Sequence, residues 1–377
     1  MGRVRSIDAV RGLAMGLMAL DHLRDFLGDA HIDATDLTRT TVPLFAARWV
    51  THFCAPTFFL LSGASTALSI RSGRRTVPAA ARFLATRGLA LVVVEQTLLK
   101  CLGWYFHLDY HFMNAGVLYG LGLSMLLLAP LLALPSWVSL GLGTLLVLGE
   151  AGLARLQLPG LPGTLLALAT QSRDFEPVPG YHFFVSYPPL PWAGAMLLGF
   201  GLTPLAHLGE GARPRVLVAT GAGALALFGV LRWLDVLEPS TRGSGLPWPR
   251  AVLDFVNLSK YPPSTPFLLL TLGVALLALA AAERWPAPGR LLEDFGRVPL
   301  FFYLLHIPLI HLLAVAYSLL VFGDASWLTS GPVVFWDTAL PGSPASYGLG
   351  LGWLALVWGA LLVGLHPVCR WYAARVR

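Results

Sequence analysis

The chain has 377 residues, of which 56% are hydrophobic and only 12% are charged. Soluble domains carry about 25% charged residues, so this composition, with a mean hydropathy of +0.67, excludes an ordinary soluble domain. The net charge of +6 does not indicate a nucleic-acid-binding protein, because the arginines form short clusters between apolar runs and not one patch.

Apolar runs of membrane-spanning length follow one another along the whole chain. They lie near residues 7–27, 44–70, 82–103, 113–133, 136–155, 188–207, 214–234, 264–283, 297–321 and 347–368. No repeat or change of composition divides them. The sequence therefore predicts an all-α fold, a polytopic transmembrane bundle of about ten helices, as a single domain over residues 1–377. The segment 156–187 is less regular, and a short re-entrant or interfacial helix there is left open.

The arginine clusters predict which loops face the cytoplasm. If the N-terminus lies inside, every second connection carries arginines, whereas the alternate loops are longer and poor in basic residues. Both termini are therefore predicted to be cytoplasmic, in a multi-pass protein of the inner (cytoplasmic) membrane. The clusters are Arg3 and Arg5; Arg71, Arg74, Arg75 and Arg82; Arg213 and Arg215; Arg284, Arg290 and Arg297; Arg370, Arg375 and Arg377.

The first predicted helix carries a polar stripe on one face. At 100° per residue the stripe covers an arc of about 100°, and ionisable groups at membrane depth must face the bundle interior or a water-filled cavity. Its members are Asp8, Arg11, Met15, Met18, His22 and Asp25. An ion pair at the helix start is the alternative for Asp8 and Arg11, and a structural hydrogen bond is the alternative for His22.

The second and ninth predicted helices have polar faces of their own. Arg48, Thr51 and His52 share a face with three hydroxyl residues of 44–70, although such residues also mediate helix packing. The run FFYLLHIPLIH puts Tyr303 and His306 on one face of 297–321, where they could bind a ligand, handle a proton or make a structural hydrogen bond. The hydroxyl residues are Ser62, Thr66 and Ser69.

Other chemistry is excluded by missing motifs. The chain has no G-x-S-x-G elbow, P-loop or dinucleotide fingerprint. His107 and His111 have the spacing of a helical metal pair but lie at a predicted membrane interface, where histidine is common, so we expect no metal. Glu95 is predicted to need a partner or protonation at membrane depth, with Arg11 or Arg48 as candidate partners.

Several segments resemble one family in the same order along the chain. The opening SIDAVRGLAMGLMALDH (6–22) is similar to the first helix of the heparan-alpha-glucosaminide N-acetyltransferase catalytic-domain family. The other segments resemble its bacterial branch. They are THFCAPTFFLLSGAS (51–65), NAGVLYGLGLSM (114–125), PWAGAMLLGFG (191–201), SKYPPSTPFLLLTLG (259–273) and FGRVPLFFYLLHIPLIH (295–311).

The resemblance implies transfer of an acetyl group across a membrane. Lysosomal members move acetyl from cytosolic acetyl-CoA to a terminal glucosamine on the far side. Asp8, Arg11 and Gly12 match the family opening, and His22 falls where the family has a polar residue associated with catalysis. The eukaryotic enzymes carry another functional histidine in the loop after this helix, but here that loop diverges and His31 is its only histidine.

We therefore expect an acetyl-CoA-dependent acyltransferase acting on an extracytoplasmic sugar or glycan. His22 is the expected general base, and a covalent acetyl-imidazole is a less favoured route. The expected catalytic residues are His22, His52, Tyr303 and His306, and those expected to bind substrate are Asp8, Arg11, Asp21 and Arg48. The candidates for the CoA phosphates are Arg71, Arg74 and Arg75, whose alternative role is to set topology. A proton-coupled transporter and a non-enzymatic membrane protein are the rival classes, and a homodimer is left open.

Overall fold

A computed structural model of the chain describes residues 5–29, 31–209, 211–238, 247–285, 290–329 and 342–375. The first half contains α1 (Arg5–Leu27), α2 (Val42–Thr51), α3 (Cys54–Arg71), α4 (Val77–Val94), α5 (Val117–Leu128), α6 (Ser136–Leu148), α7 (Glu150–Arg155) and α8 (Gly160–Thr170). The second half contains α9 (Pro189–Gly201), α10 (Ala212–Trp233), α11 (Arg250–Val256), α12 (Thr265–Arg284), α13 (Leu291–Arg297), α14 (Pro299–Phe322), α15 (Ser326–Thr329) and α16 (Leu351–Arg375). A π-helical segment, Glu95–Trp104, extends α4.

Six helical segments of the described chain are long and apolar enough to cross a membrane. They are Val42–Arg71, Val77–Trp104, Ala212–Trp233, Thr265–Arg284, Pro299–Phe322 and Leu351–Arg375. At 23 residues α1 is also long, but it includes six charged side chains. Each predicted apolar run contains a helix, whereas the count of ten spans and the cytoplasmic position of both ends stay predictions. Arg3 and Arg377 lie outside the described residues.

The chain is mainly helical, as predicted, but the all-α prediction left out a small sheet. Strands β1 (Phe112–Ala115), β2 (Asp174–Val178) and β3 (Tyr181–Val185) form a three-stranded sheet in the order β1-β3-β2. β1 is parallel to β3, and β2 is antiparallel to it. Strands of four and five residues are too short to show a clear alternation of polar and apolar side chains. The segment 156–187 thus holds both a short helix, α8, and a hairpin.

The charged helix α1 lies inside the bundle, in contact with α3, α12, α13, α14 and α16. Its approach to α13 is very close, because a Cβ on Gly12 would lie only 1.8 Å from the carbonyl oxygen of Leu292. A Cβ on Gly296 would lie equally near, 1.8 Å from the carbonyl oxygen of Asp8. Only glycine permits this contact, and the contact sets the direction in which the polar stripe of α1 faces.

A second close crossing joins α3 to α9. A Cβ on Gly63 would lie 1.9 Å from the carbonyl oxygen of Met196, and one on Gly199 would lie 1.9 Å from that of Leu60. Small residues are the usual means by which membrane helices approach each other closely. Two of the family-like segments, 51–65 and 191–201, therefore meet at this crossing.

Candidate functional site

Two cavities lie one after the other along the polar stripe of α1. The large cavity, of about 720 Å³, is lined at this helix by Asp8, Arg11 and Met15, whereas the small cavity, of about 90 Å³, is lined by Asp21, His22 and Asp25. Four residues, which we call the neck, line both cavities. They are Met18, Phe58, Val117 and Tyr303. The stripe predicted from helical periodicity therefore faces the interior along its whole length.

The large cavity has a basic lining. Arg11 is held by three acceptors: Asp8 Oδ1 at 3.3 Å, the Gly296 carbonyl oxygen at 3.0 Å and Ser65 Oγ at 2.7 Å. The predicted ion pair of Asp8 with Arg11 is thus present, and Arg11 also ties α1 to α3 and α13. The other basic residues of the lining are Arg74, Arg75, Arg87 and Arg297.

The predicted group of CoA-binding arginines is divided by the structure. Arg74 and Arg75 line the large cavity, and the Arg75 guanidinium lies 3.8 Å from the ring centroid of Phe83. Arg71 is not among the described lining residues and donates a hydrogen bond to His207 instead. The helix α3 ends at Arg71, so the chain turns between it and the other two arginines. Of the three, only Arg74 and Arg75 are placed to meet a ligand there.

Charged groups in the small cavity form a network around Asp21. Arg48 Nη1 lies 2.7 Å from both carboxylate oxygens of Asp21, and Arg24 Nη2 lies 3.1 Å from Oδ1. Arg24 also pairs with Asp25. Lys260 Nζ lies 4.0 Å from Asp21 Oδ2. Arg48 and Asp21 are therefore both at the site, as predicted, and they bind each other.

His22 is oriented by a second histidine. His22 Nδ1 lies 2.8 Å from His306 Nε2, and His306 Nδ1 lies 2.9 Å from the Phe302 carbonyl oxygen. A carbonyl oxygen only accepts, so His306 carries its proton on Nδ1 and a neutral His306 accepts at Nε2. The proton of His22 is then on Nδ1, and its Nε2 presents a free lone pair. Asp21 and Asp25, on the same helix as His22, are engaged with the arginines.

Aromatic rings surround His22 on the other sides. The ring of Trp104 lies 5.3 Å away, edge to face, and that of Tyr303 lies 6.0 Å away. Tyr303 comes from α14, one turn before the fully buried His306, so a single helix supplies both. The structure thus brings His22, His306 and Tyr303 together, as predicted. His22 and Tyr303 line the small cavity, and His306 lies behind His22.

Two other histidines lie elsewhere. His52 was expected at the site but is buried against Phe267, at a ring distance of 5.6 Å, and is not among the described residues lining either cavity. The prediction put His52 on the face of Arg48 and Thr51, but the lining residues continue from Thr51 to Ala55 and Phe58 at helical spacing, and the His52 ring lies beside that face, toward α12. His31 Nε2 lies 3.0 Å from the Pro344 carbonyl oxygen.

Glu95 has a partner that the sequence did not indicate. Its Oε2 accepts a hydrogen bond of 2.6 Å from the backbone N–H of Tyr119, in the first turn of α5. A carboxylate at a helix N-terminus is stabilised by the unpaired N–H groups there. Arg11 and Arg48, the predicted candidates, bind Asp8 and Asp21 instead. Glu95 also lines the small cavity.

The two loop histidines considered for a metal do not share a helix turn. His111 Nδ1 lies 2.5 Å from Asp109 Oδ1, and its hydrogen bonds hold the pKa of the Asp109 carboxyl below the ordinary value. His107 precedes them in the same non-helical connection. Within the described part of the chain, no group of three or more histidine, cysteine, aspartate or glutamate side chains is arranged to hold a metal ion.

The part of the chain that contains α1 and most of the site matches a known protein family. The family described as "Heparan-alpha-glucosaminide N-acetyltransferase, catalytic" matches residues 3–232. The chain belongs to this family. It is accordingly a multi-pass membrane protein of an acetyltransferase family. No curated protein matches the chain.

The family match includes most of the site but not all of it. Asp8, Arg11, His22 and Arg48 lie within residues 3–232. Lys260 and the α14 residues Tyr303 and His306 follow the matched region, although the segments 259–273 and 295–311 also resemble the family. The acetyltransferase family match thus covers most of the small-cavity lining, including the residues from α1, α2 and the π-helical segment. Lys260, Tyr261 and Tyr303 are assigned to the site by the geometry alone.

Sequence reasoning missed several residues of the small cavity. Lys260 and Tyr261 lie in a loop, where no helical periodicity marks the buried side chains. One signal was available: Lys260 is one of only two lysines in the chain, in a sequence whose other basic residues are arginines. Other missed residues of the lining include Trp104, Tyr105, Asn114, Ser186 and Tyr187.

Proposed function

We propose that this acetyltransferase-family member takes an acetyl group from acetyl-CoA in the large cavity and transfers it to an acceptor in the small cavity. The observation that carries the proposal is the position of His22. It lies in the small cavity, one helical turn beyond the neck residue Met18. An acetyl group that enters the neck from the large cavity would therefore reach the free Nε2 of His22.

The large cavity suits the donor. Its volume of about 720 Å³ falls within the range typical of small-molecule sites. Its arginines supply the planar, permanently charged donors that phosphate groups prefer, and its apolar walls can cover the rest of a long ligand. Arg74 and Arg75 belong to the loop that the charge distribution predicts to be cytoplasmic, where acetyl-CoA is made.

The small cavity suits a sugar acceptor. Trp104, Tyr187 and Tyr261 offer ring faces, and the neighbouring charged and amide groups can bind hydroxyls. It lies toward the C-terminal end of α1, which the topology prediction puts in the extracytoplasmic half of the inner membrane. We therefore propose that the acceptor is an extracytoplasmic sugar or glycan.

The proposed step is a direct acyl transfer. The acceptor O–H or N–H gives its proton to His22 Nε2 while its oxygen or nitrogen attacks the thioester carbonyl carbon. The new C–O or C–N bond replaces the C–S bond, and the proton passes from His22 to the departing CoA thiolate. Tyr303 in the neck can donate a hydrogen bond to the carbonyl oxygen as negative charge develops on it.

The test is acetyl transfer by the purified full-length protein in liposomes. We expect release of CoA thiol from acetyl-CoA that depends on an added amino sugar or hydroxyl sugar, with an acetylated sugar detected by mass spectrometry. A transporter or a non-enzymatic membrane protein, the rival classes, would leave thiol release at the rate of empty liposomes. That result would overturn the proposal.

A further inference from the structure

Lys260 places a buried positive charge in the small cavity. Only 7% of the residue is exposed, and it lines the cavity from the loop before α12. Its Nζ has no hydrogen-bond acceptor among the described residues, and the nearest carboxylate oxygen, Asp21 Oδ2, is 4.0 Å away. An ammonium has three N–H donors, and leaving them unsatisfied when buried is unfavourable. The cavity therefore holds a cation that a ligand can satisfy.

The carboxylates of the same cavity are each bound by at least one donor. Asp21 is bound by Arg48 and Arg24, Asp25 by Arg24, and Glu95 by the N–H of Tyr119. A further cationic group on the acceptor would compete there with Arg24 and Arg48 and would lie near the charge of Lys260.

Two cations of the cavity keep N–H groups available to a ligand. Arg48 donates to Asp21 through Nη1 alone, so among the described residues its Nε and Nη2 groups have no acceptor. Arg48 and Lys260 are thus two cations that have N–H groups without an acceptor among the described residues. Acceptors for such groups are anionic oxygens, which form the stronger charge-assisted hydrogen bonds.

We propose that the acceptor carries an anionic group, a carboxylate or a phosphate on a sugar, which binds to Lys260 and Arg48 in the small cavity. The inference rests on the proposed function in taking the ligand of this cavity to be the acceptor. Tyr261, next to Lys260, also lines the cavity and contacts the ring of Tyr187 at 5.4 Å. These rings can pack against the sugar while the anionic group lies at the two cations.

The test measures sugar binding to the full-length protein without acetyl-CoA. The probes are glucuronate, glucose 6-phosphate, uncharged glucose and cationic glucosamine, compared by calorimetric titration. We expect at least one anionic sugar to bind roughly tenfold tighter than glucose, the effect of one charge-assisted hydrogen bond. Selective binding of glucuronate would indicate a carboxylate, and selective binding of glucose 6-phosphate a phosphate.

Two variants assign the effect to Lys260. Lys260→Gln keeps a donor of similar length but removes the charge, and we expect it to bind anionic sugars and glucose with affinities within a fewfold of each other. Lys260→Arg keeps the charge and should retain the preference, which separates charge from folding. Equal binding of glucose and both anions by the wild type, no binding of either anion, or an unchanged preference in Lys260→Gln would overturn the proposal.

The result of the sugar-binding test does not depend on whether the protein transfers acetyl groups. Selective binding of an anionic sugar by a protein that does not release CoA thiol would support the anionic site and reject the acetyltransferase function. Acetyl transfer to glucose or glucosamine with no preference for an anion would support the acetyltransferase function and reject the anionic site.

Discussion

At the residue scale, the proposed chemistry depends on one atom, His22 Nε2. It is the nitrogen left without a proton once His306 accepts from Nδ1. A general base contributes about 10²–10⁴-fold to rate, so His22→Ala should lower kcat by that factor while acetyl-CoA binding persists. His22→Gln should be nearly as slow, because an amide keeps the size of the side chain but cannot take the proton.

Turnover and thermal stability of both His22 variants distinguish catalysis from structure. If His22 were only structural, Gln would be tolerated and Ala would lower the yield of folded protein. A stable and fully active His22→Gln protein would end the catalytic assignment.

His306 is a positioning residue in this scheme, since it contacts His22 and not the reacting atoms. His306→Leu removes the acceptor for His22 Nδ1, and we expect kcat to fall by up to about 10²-fold as the ring loses its orientation. His306→Gln has a carbonyl oxygen that can accept the same hydrogen bond, so it should recover part of this loss. If both variants lose the same activity and the same stability, His306 is a packing residue only.

At the element scale, the contact between α1 and α13 holds the stripe toward the cavities. Gly12→Ala would put a methyl group 1.8 Å from a backbone oxygen that cannot rotate away, and overpacking of this kind costs about 1–3 kcal/mol. Gly16→Ala on the same helix is the matched control, because its Cβ would lie 3.8 Å from Leu362 Cδ1, an ordinary contact. We expect a lower melting temperature for the first variant only. Equal melting temperatures would show that α1 and α13 can separate without cost.

The connection from α3 to α4 allows a matched test of the donor site. Arg74 and Arg75 line the large cavity, whereas Arg71 contacts His207. The double variant Arg74→Gln, Arg75→Gln should raise the KM for acetyl-CoA roughly tenfold with little change in kcat, as expected when binding common to substrate and transition state is lost. Arg71→Gln should leave KM unchanged. A KM that does not respond to the double variant would assign these arginines to topology alone.

The elements also show which features of the site could be predicted. Helical periodicity placed Asp8, Arg11 and His22 on one interior face, because α1 is a single unbroken helix and its period is set by backbone geometry. The same reasoning was wrong for His52, which lies beside the lining face of its helical segment and packs against Phe267 of α12. It could not find Lys260, which a loop carries into the cavity from more than 200 positions away in the sequence. Periodicity predicts faces of elements, not contacts between them.

At the scale of the whole molecule, contacts between the connecting loops define two ends of the described structure. At one end Arg71 contacts His207 and Arg213 pairs with Glu283 at 2.8 Å, which groups three connections near the large cavity. At the other end Asn257 Nδ2 donates to the Thr35 carbonyl oxygen at 3.0 Å. The loops after α1 and before α12 are therefore together at the end that contains the small cavity. A donor site and an acceptor site at opposite ends fit a transfer between two compartments.

The grouping of loops at two ends of the molecule makes the topology prediction more specific. Positive loops are retained in the cytoplasm, so reporters fused after Arg75, Arg213 and Arg290 should read cytoplasmic. Reporters near Asp36, Arg173 and Arg242 should read extracytoplasmic; Arg242 lies outside the described residues. The Arg173 carbonyl oxygen accepts from the Val185 N–H, next to Ser186 of the small cavity, so this site and Asp36 share an end. A paired alkaline phosphatase and fluorescent protein series would read both sides. An inverted result at two or more sites would reject the ten-helix arrangement and, with it, the access of cytosolic acetyl-CoA to the large cavity.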